Sequence, residues 1–70
     1  MKIQFTQDVE WEVVEQYDEE TQTADSTFEL FTEGSVLEVD LIDDYGDNVD
    51  IQFGDGSMAY NFPKSYFNKI

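Results

Sequence analysis

Apolar residues recur along this chain at every second position, and that period commits it to β-strands, since side chains two apart share one face of a strand but lie on opposite sides of a helix. Ile3 and Phe5 open the series, followed by Val9, Trp11 and Val13 with Glu10 and Glu12 turned the other way. Phe28 and Leu30 come next. Leu37, Val39 and Leu41 then interleave with Glu38 and Asp40, and Val49, Ile51 and Phe53 with Asn48, Asp50 and Gln52. Met58, Tyr60 and Phe62 close the pattern. No segment carries apolar residues at helical spacing.

Turn-forming residues separate these runs. Thr32-Glu33-Gly34-Ser35, Asp43 to Asn48 around Gly46, and Gly54-Asp55-Gly56-Ser57 are each hairpin candidates, because glycine and aspartate accommodate the backbone of tight reversals. Asp18 to Thr27 has Ala24 as its sole apolar residue and reads as a long polar loop or an irregular hairpin. Pro63 should stop the preceding strand, leaving Lys64 to Phe67 as a tight 3-10 turn before a short terminal strand.

Seventy residues support one hydrophobic core, so a single domain spanning 1–70 is expected. Five or six short strands without a helix cannot bury both faces as a flat sheet. The expected all-β architecture is therefore a small curved barrel, or two orthogonal sheets, of antiparallel strands. Phe5, Trp11, Phe28, Phe53, Tyr60 and Phe62 fall at inward positions and are expected to form the core, with Tyr45 and Tyr66 exposed in turns. No Asp or Glu falls on an inward position of this alternation.

Composition narrows the chemistry. The chain has no Cys and no His, which removes disulfides, thiolate metal sites and the commonest catalytic base. Seventeen carboxylates against three lysines give a net charge of -14, which repels phosphate backbones and anionic membranes and favours basic protein partners. The residues from Met1 show no apolar run of the signal-peptide kind, and a cytoplasmic protein is expected. The charge is uneven: all the carboxylates lie within residues 1–55, while residues 56–70 carry only Lys64 and Lys69.

From Phe28 onward the order of signals resembles the Src-homology-3 fold. Phe31-Thr32-Glu33-Gly34, Leu37 to Leu41, Asp43 to Asp47, Val49 to Phe62 and Pro63-Lys64-Ser65-Tyr66-Phe67 match that family's turn, strand, acidic turn, hairpin and Pro-x-x-Tyr-apolar segment. Tyr17-Asp18 resembles the pair that opens the family's long loop. The resemblance implies a five- or six-stranded SH3-like barrel, of the size of small bacterial and phage SH3-like domains. It also implies partner-binding residues: Tyr17, Pro63 and Tyr66 in an aromatic groove for a polyproline II peptide, beside an acidic loop of Asp18, Glu19 and Glu20. The family's groove tryptophan has no counterpart, since Asn48 or Val49 stands at its position and the single Trp is Trp11.

Other constellations point to different functions. Asp43, Asp44 and Asp47 around Gly46 form a weak candidate for a calcium site, without the Asp-x-Asp-x-Asp-Gly spacing of a calcium loop. Catalysis is not expected, because a barrel of this size has little room to desolvate a carboxyl and no nucleophile has a His base. Glu10 and Glu12, with Glu38 and Asp40, form outward carboxylate rows whose spacing of about 6–7 Å approaches that of successive phosphates, as in an inhibitor that mimics nucleic acid. The segment Ser57 to Ile70, with Lys64, is the stretch that an apolar or anionic partner would approach without repulsion. The leading expectation is a non-catalytic, cofactor-free protein-interaction module, with nucleic-acid mimicry and a salt-adapted structural subunit as alternatives.

Overall fold

In the computed structural model, which describes residues 1–70 apart from the side chain of Tyr17, the alternating runs form seven antiparallel strands. These are β1 (Lys2–Phe5), β2 (Val9–Asp18), β3 (Thr23–Phe31), β4 (Val36–Asp44), β5 (Asn48–Phe53), β6 (Met58–Pro63) and β7 (Phe67–Lys69), with one 3-10 turn at Lys64–Tyr66. The strand order is β3-β2-β6-β5-β4-β1-β7. Among the described residues no helix is long and apolar enough to cross a membrane.

β4 serves two partners in succession. Its first half pairs with β1, Ile3 opposite Leu37, and its second half with β5, Leu41 opposite Ile51. β1 also pairs with β7, so the last strand returns beside the first. The 3-10 turn after Pro63 is pinned at two points: Thr6 donates its backbone N–H to the Tyr66 carbonyl at 2.9 Å, and the Lys64 N–H donates to the Asp47 carbonyl at 2.9 Å.

The stretch from Asp18 to Thr27, a long polar loop or an irregular hairpin by its sequence, is an irregular hairpin that lengthens β3, with a register shift between Val14 and Gln16. Thr23 to Thr27 pair along β2 as far as the turn, although every residue from Thr21 to Leu30 is exposed. Backbone pairing in a hairpin needs no apolar side chain when one strand is supported by the sheet, and β2 is supported by β6 through Val14 and Met58. Gln22, at a φ of 55°, makes the reversal. Thr32 to Ser35, by contrast, is not a hairpin: β3 pairs with β2, and β4 with β1 and β5.

Two inward assignments also change. Phe28 and Leu30 are 67% and 63% exposed, while Phe31 is buried, because Phe31 lies opposite Val9 and fixes the phase of β3. Phe28 and Leu30 consequently face outward, opposite Glu12 and Glu10. In β6 the alternation is broken by a bulge: Val49 pairs with Phe62 and Ile51 with Ala59, so that Tyr60 and Asn61 together face Asp50. Asn61 adopts a φ of 54°, a region that asparagine tolerates better than most residues. Ala59 and Phe62 therefore both point inward, and Tyr60 is left exposed.

The core contains Ile3, Phe5, Val13, Val49, Ile51, Ala59 and Phe62, with Val9, Phe31, Val39 and Phe67 around them. Phe62 is its centre. Its ring lies within 6.4 Å of those of Phe5, Trp11, Phe31, Tyr66 and Phe67, mostly edge-on, the arrangement aromatic quadrupoles favour. Phe31 stacks on both Phe5, at 4.9 Å, and Phe53, at 5.6 Å. Trp11 and Phe53 are half-buried at the margin of this cluster.

Phe62→Ala should cost about 3–5 kcal/mol in a urea titration, enough to unfold much of a domain this small. Phe28→Ala, at an exposed position, should change stability by only about 0.5 kcal/mol. Equal losses at the two positions would contradict this division between core and surface.

Candidate partner-binding surface

The register of the β2–β3 hairpin sets its outer face. Glu10 lies opposite Leu30 and Glu12 opposite Phe28, so carboxylates and apolar side chains alternate on one exposed surface. Ser26, also on β3, donates its hydroxyl to Glu12 Oε2 at 3.2 Å and holds that carboxylate across the hairpin. Beside it, Trp11 donates its indole N–H to the Tyr60 carbonyl at 3.2 Å, which fixes the ring between β2 and β6. Glu10, Trp11, Glu12, Phe28 and Tyr60 together line a shallow hollow of about 380 Å³. A second, smaller hollow of about 180 Å³ shares Glu10 and Trp11 and is closed by Tyr66.

This arrangement suits a cation with an apolar stem. Aromatic faces attract a cation through their quadrupole and accept its methylenes, and the two carboxylates complement its charge. Periodicity alone conceals the hollow, because Phe28, Trp11 and Tyr60 all fit inward positions. The adjacent Leu30-Phe31 pair was the available signal, since two large apolar neighbours in one strand cannot both face the core.

The residues expected to bind a partner are dispersed. Asp18, Glu19 and Glu20 occupy the β2–β3 turn, exposed, where Asp18 accepts the Glu20 backbone N–H at 2.9 Å. The Tyr17 side chain lies outside the described residues. Pro63, Lys64 and Tyr66 sit at the other end of the hairpin: Tyr66 borders Glu10 and Trp11, some seven residues, or about 23 Å of extended strand, from Asp18. The acidic turn and the Pro63–Tyr66 segment therefore form two surfaces. Lys64 is engaged, with its Nζ 2.6 Å from both oxygens of Asp44.

That pairing also bears on the candidate calcium loop. Asp44 is held below the ordinary carboxylate range, first by the Lys64 ammonium and then by the Gly46 N–H. Among the described residues no group of three or more acidic side chains gathers as metal ligands, so Asp43, Asp44 and Asp47 do not converge on a cation site. The Asp44 carboxylate is engaged by Lys64 instead. The Asp55 carboxylate is likewise lowered, by the Ser57 hydroxyl and then the Ser57 N–H, and serves the β5–β6 turn.

One carboxylate is buried although it does not face the core. Asp50 is 5% exposed on the central strand β5, its Oδ1 accepting the Asn61 N–H at 3.0 Å and its Oδ2 the Tyr45 hydroxyl at 2.6 Å. The alternation placed it on the outer face, and the bulge in β6 together with the Tyr45 phenol covers that position. Glu10 and Glu12 are separated from Glu38 and Asp40 by β6 and β5, so the two carboxylate rows are not neighbours in the sheet.

Compared with protein families, curated proteins and solved structures, the chain shows no significant match.

The hydrogen bond to Asp50 pushes the Tyr45 hydroxyl up to about 12. The unfolded chain loses this proton first, near the usual value of about 10, so the contribution to stability is complete below that pH and disappears as pH rises through 12. Phenolate absorbance should show one tyrosine titrating well above the others, and Tyr45→Phe should remove that late step. A wild-type curve with all tyrosines titrating together would contradict the bond.

Proposed function

We propose that this chain is a small SH3-like barrel acting, without catalysis, as an interaction module for a basic protein partner docked on the outer face of the β2–β3 hairpin. The observation that carries the reading is the exposure of Phe28 and Leu30, 67% and 63%, directly opposite Glu12 and Glu10. A surface serving solubility alone gains from the carboxylates but loses by exposing large apolar side chains beside them. Apolar and acidic groups interleaved on one face instead match a partner that presents lysine or arginine stems.

The SH3-like part of the reading is supported by the order of elements. A long hairpin lies between β1 and β4, two hairpins follow, and a 3-10 turn after Pro63 leads into a last strand beside the first. The non-catalytic part is supported by the lack of His and Cys and by the engagement of the buried Asp50 with Tyr45 and Asn61. Docking on the hairpin accounts for more than nucleic-acid mimicry does, because the mimicry residues are divided between β2 and β4, and the two most exposed apolar side chains of the strands, Phe28 and Leu30, lie opposite Glu12 and Glu10.

Trp11, the single tryptophan, reports directly on this surface. Titration with short lysine- and arginine-rich peptides should shift its fluorescence in about 0.01 M salt and lose most of that response near about 1 M, where screening reaches roughly 3 Å. Replacing Glu10 and Glu12 with glutamine should weaken the response further. An unchanged spectrum with every basic peptide at low salt would rule the reading out.

A further inference from the structure

The two edges of the sheet are protected unequally. β7 is three residues long and carries Lys69, features that discourage pairing with another chain. β3 is nine residues long, TADSTFELF, with neither lysine nor proline. The register irregularity of the hairpin lies near Glu15, so Ser26 to Phe31 runs as a regular strand whose single partner is β2. Its side chains at Phe28 and Leu30 are exposed. A long, regular, partly apolar edge offers unpaired backbone donors and acceptors to any extended segment laid beside it.

Next to this edge is a third hollow, of about 360 Å³, distinct from the two around Trp11. Phe31, Leu37 and Phe53 give it an apolar lining, Glu29 and Asp55 supply carboxylates, and Leu30 joins it to the edge of β3. An added strand would place its residues alternately beside Phe28 and Leu30 on the outer face, and beside Thr27, Glu29 and Phe31 on the inner. The position beside Phe31 overlies the hollow, and the one beside Glu29 meets a carboxylate.

We propose that the free edge of β3 and the hollow of Phe31, Leu37 and Phe53 accept an extended, basic segment of a partner protein as an eighth strand, with one apolar side chain seated in the hollow. This rests on the reading above that the partner is basic, and it adds the mode of attachment. Charge decides the occupant. A second copy would bring another net charge of -14 against Asp25 and Glu29 on the same edge, whereas a segment with lysine or arginine beside Glu29 gains what self-pairing loses. The backbone supplies affinity, and the alternation of apolar and basic residues supplies register.

The test uses the full chain and the peptide acetyl-Lys-Leu-Val-Lys-Val-Thr-Lys-amide, written to place leucine beside Phe31 and lysine beside Glu29. Two further peptides carry N-methyl groups on its odd or on its even residues. Strand addition predicts that one of these phases abolishes binding and the other retains it, because alternate N–H groups point toward β3. Amide exchange should slow at alternate residues of Ser26 to Phe31. Replacing both Phe28 and Leu30 with lysine should weaken the parent peptide by roughly tenfold while the melting temperature holds.

Equal binding of both methylated phases, or retention of unstructured oligolysine without the designed peptide, would overturn strand addition and leave the basic-partner reading standing. Failure of oligolysine and the designed peptide alike at low salt would overturn both. Peptide-free dimers that protect the same β3 amides would overturn the assignment to a basic partner.

Discussion

The Asp50 carboxylate, accepting the Asn61 N–H at 3.0 Å and the Tyr45 hydroxyl at 2.6 Å, holds the bulge on which the rest of the structure depends. An even alternation through β6 would point either Ala59 or Phe62 away from the core. The extra residue lets both face inward, and Phe62 then brings together rings from β1, β2, β3 and the segment around the 3-10 turn. A buried carboxylate without donors would be costly, so the Asn61 N–H that marks the bulge in β6 and the Tyr45 hydroxyl from the β4–β5 turn together make Asp50 tolerable on a central strand.

Because cohesion comes from the aromatic centre, the surface carboxylates act locally, as Asp44 and Asp55 do in their turns, and ion pairing adds little. Among the described residues two ion pairs occur, Lys64 with Asp44 and the N-terminal amine with Glu38, and both are largely exposed. Exposed pairs of this kind add little to stability. The carboxylates of the β2–β3 hairpin have no lysine on either strand to neutralise them. Their repulsion is a standing cost of the folded state, which nearby positive charge would relieve.

The sequence made the strand class legible wherever alternation was undisturbed. Val9 to Val13, Leu37 to Leu41 and Val49 to Phe53 lie in strands, with the half facing inward that their apolar residues require. The hairpins at Gly46 and Gly54-Asp55-Gly56, and the 3-10 turn after Pro63, could also be read from local chemistry. What could not be read was phase. A bulge shifts the inward set by one residue and leaves composition unchanged, which is why Tyr60 passed for core. Phe28 and Leu30 have the spacing of a buried face, and only the long-range pairing of Phe31 with Val9 reverses it. The hollow at Trp11 depends on both of these reversals, so neither its aromatic lining nor its contact with Glu10 and Glu12 was visible in the pattern.

The acidity and the open edge of β3 explain one another. An edge strand that exposes Phe28 and Leu30 without lysine or proline would ordinarily invite self-association. Here Asp25 and Glu29 on the edge, and Glu10 and Glu12 on the neighbouring strand, make the approach of an identical edge repulsive without adding any steric block. Such protection is selective in sign: it repels copies of this chain and other acidic segments, yet draws in a basic one. A proline or a bulge in β3 would close the edge to every strand alike. Carboxylates disfavour only strands of like charge, so resistance to self-pairing and the proposed pairing with a basic segment would have one physical source.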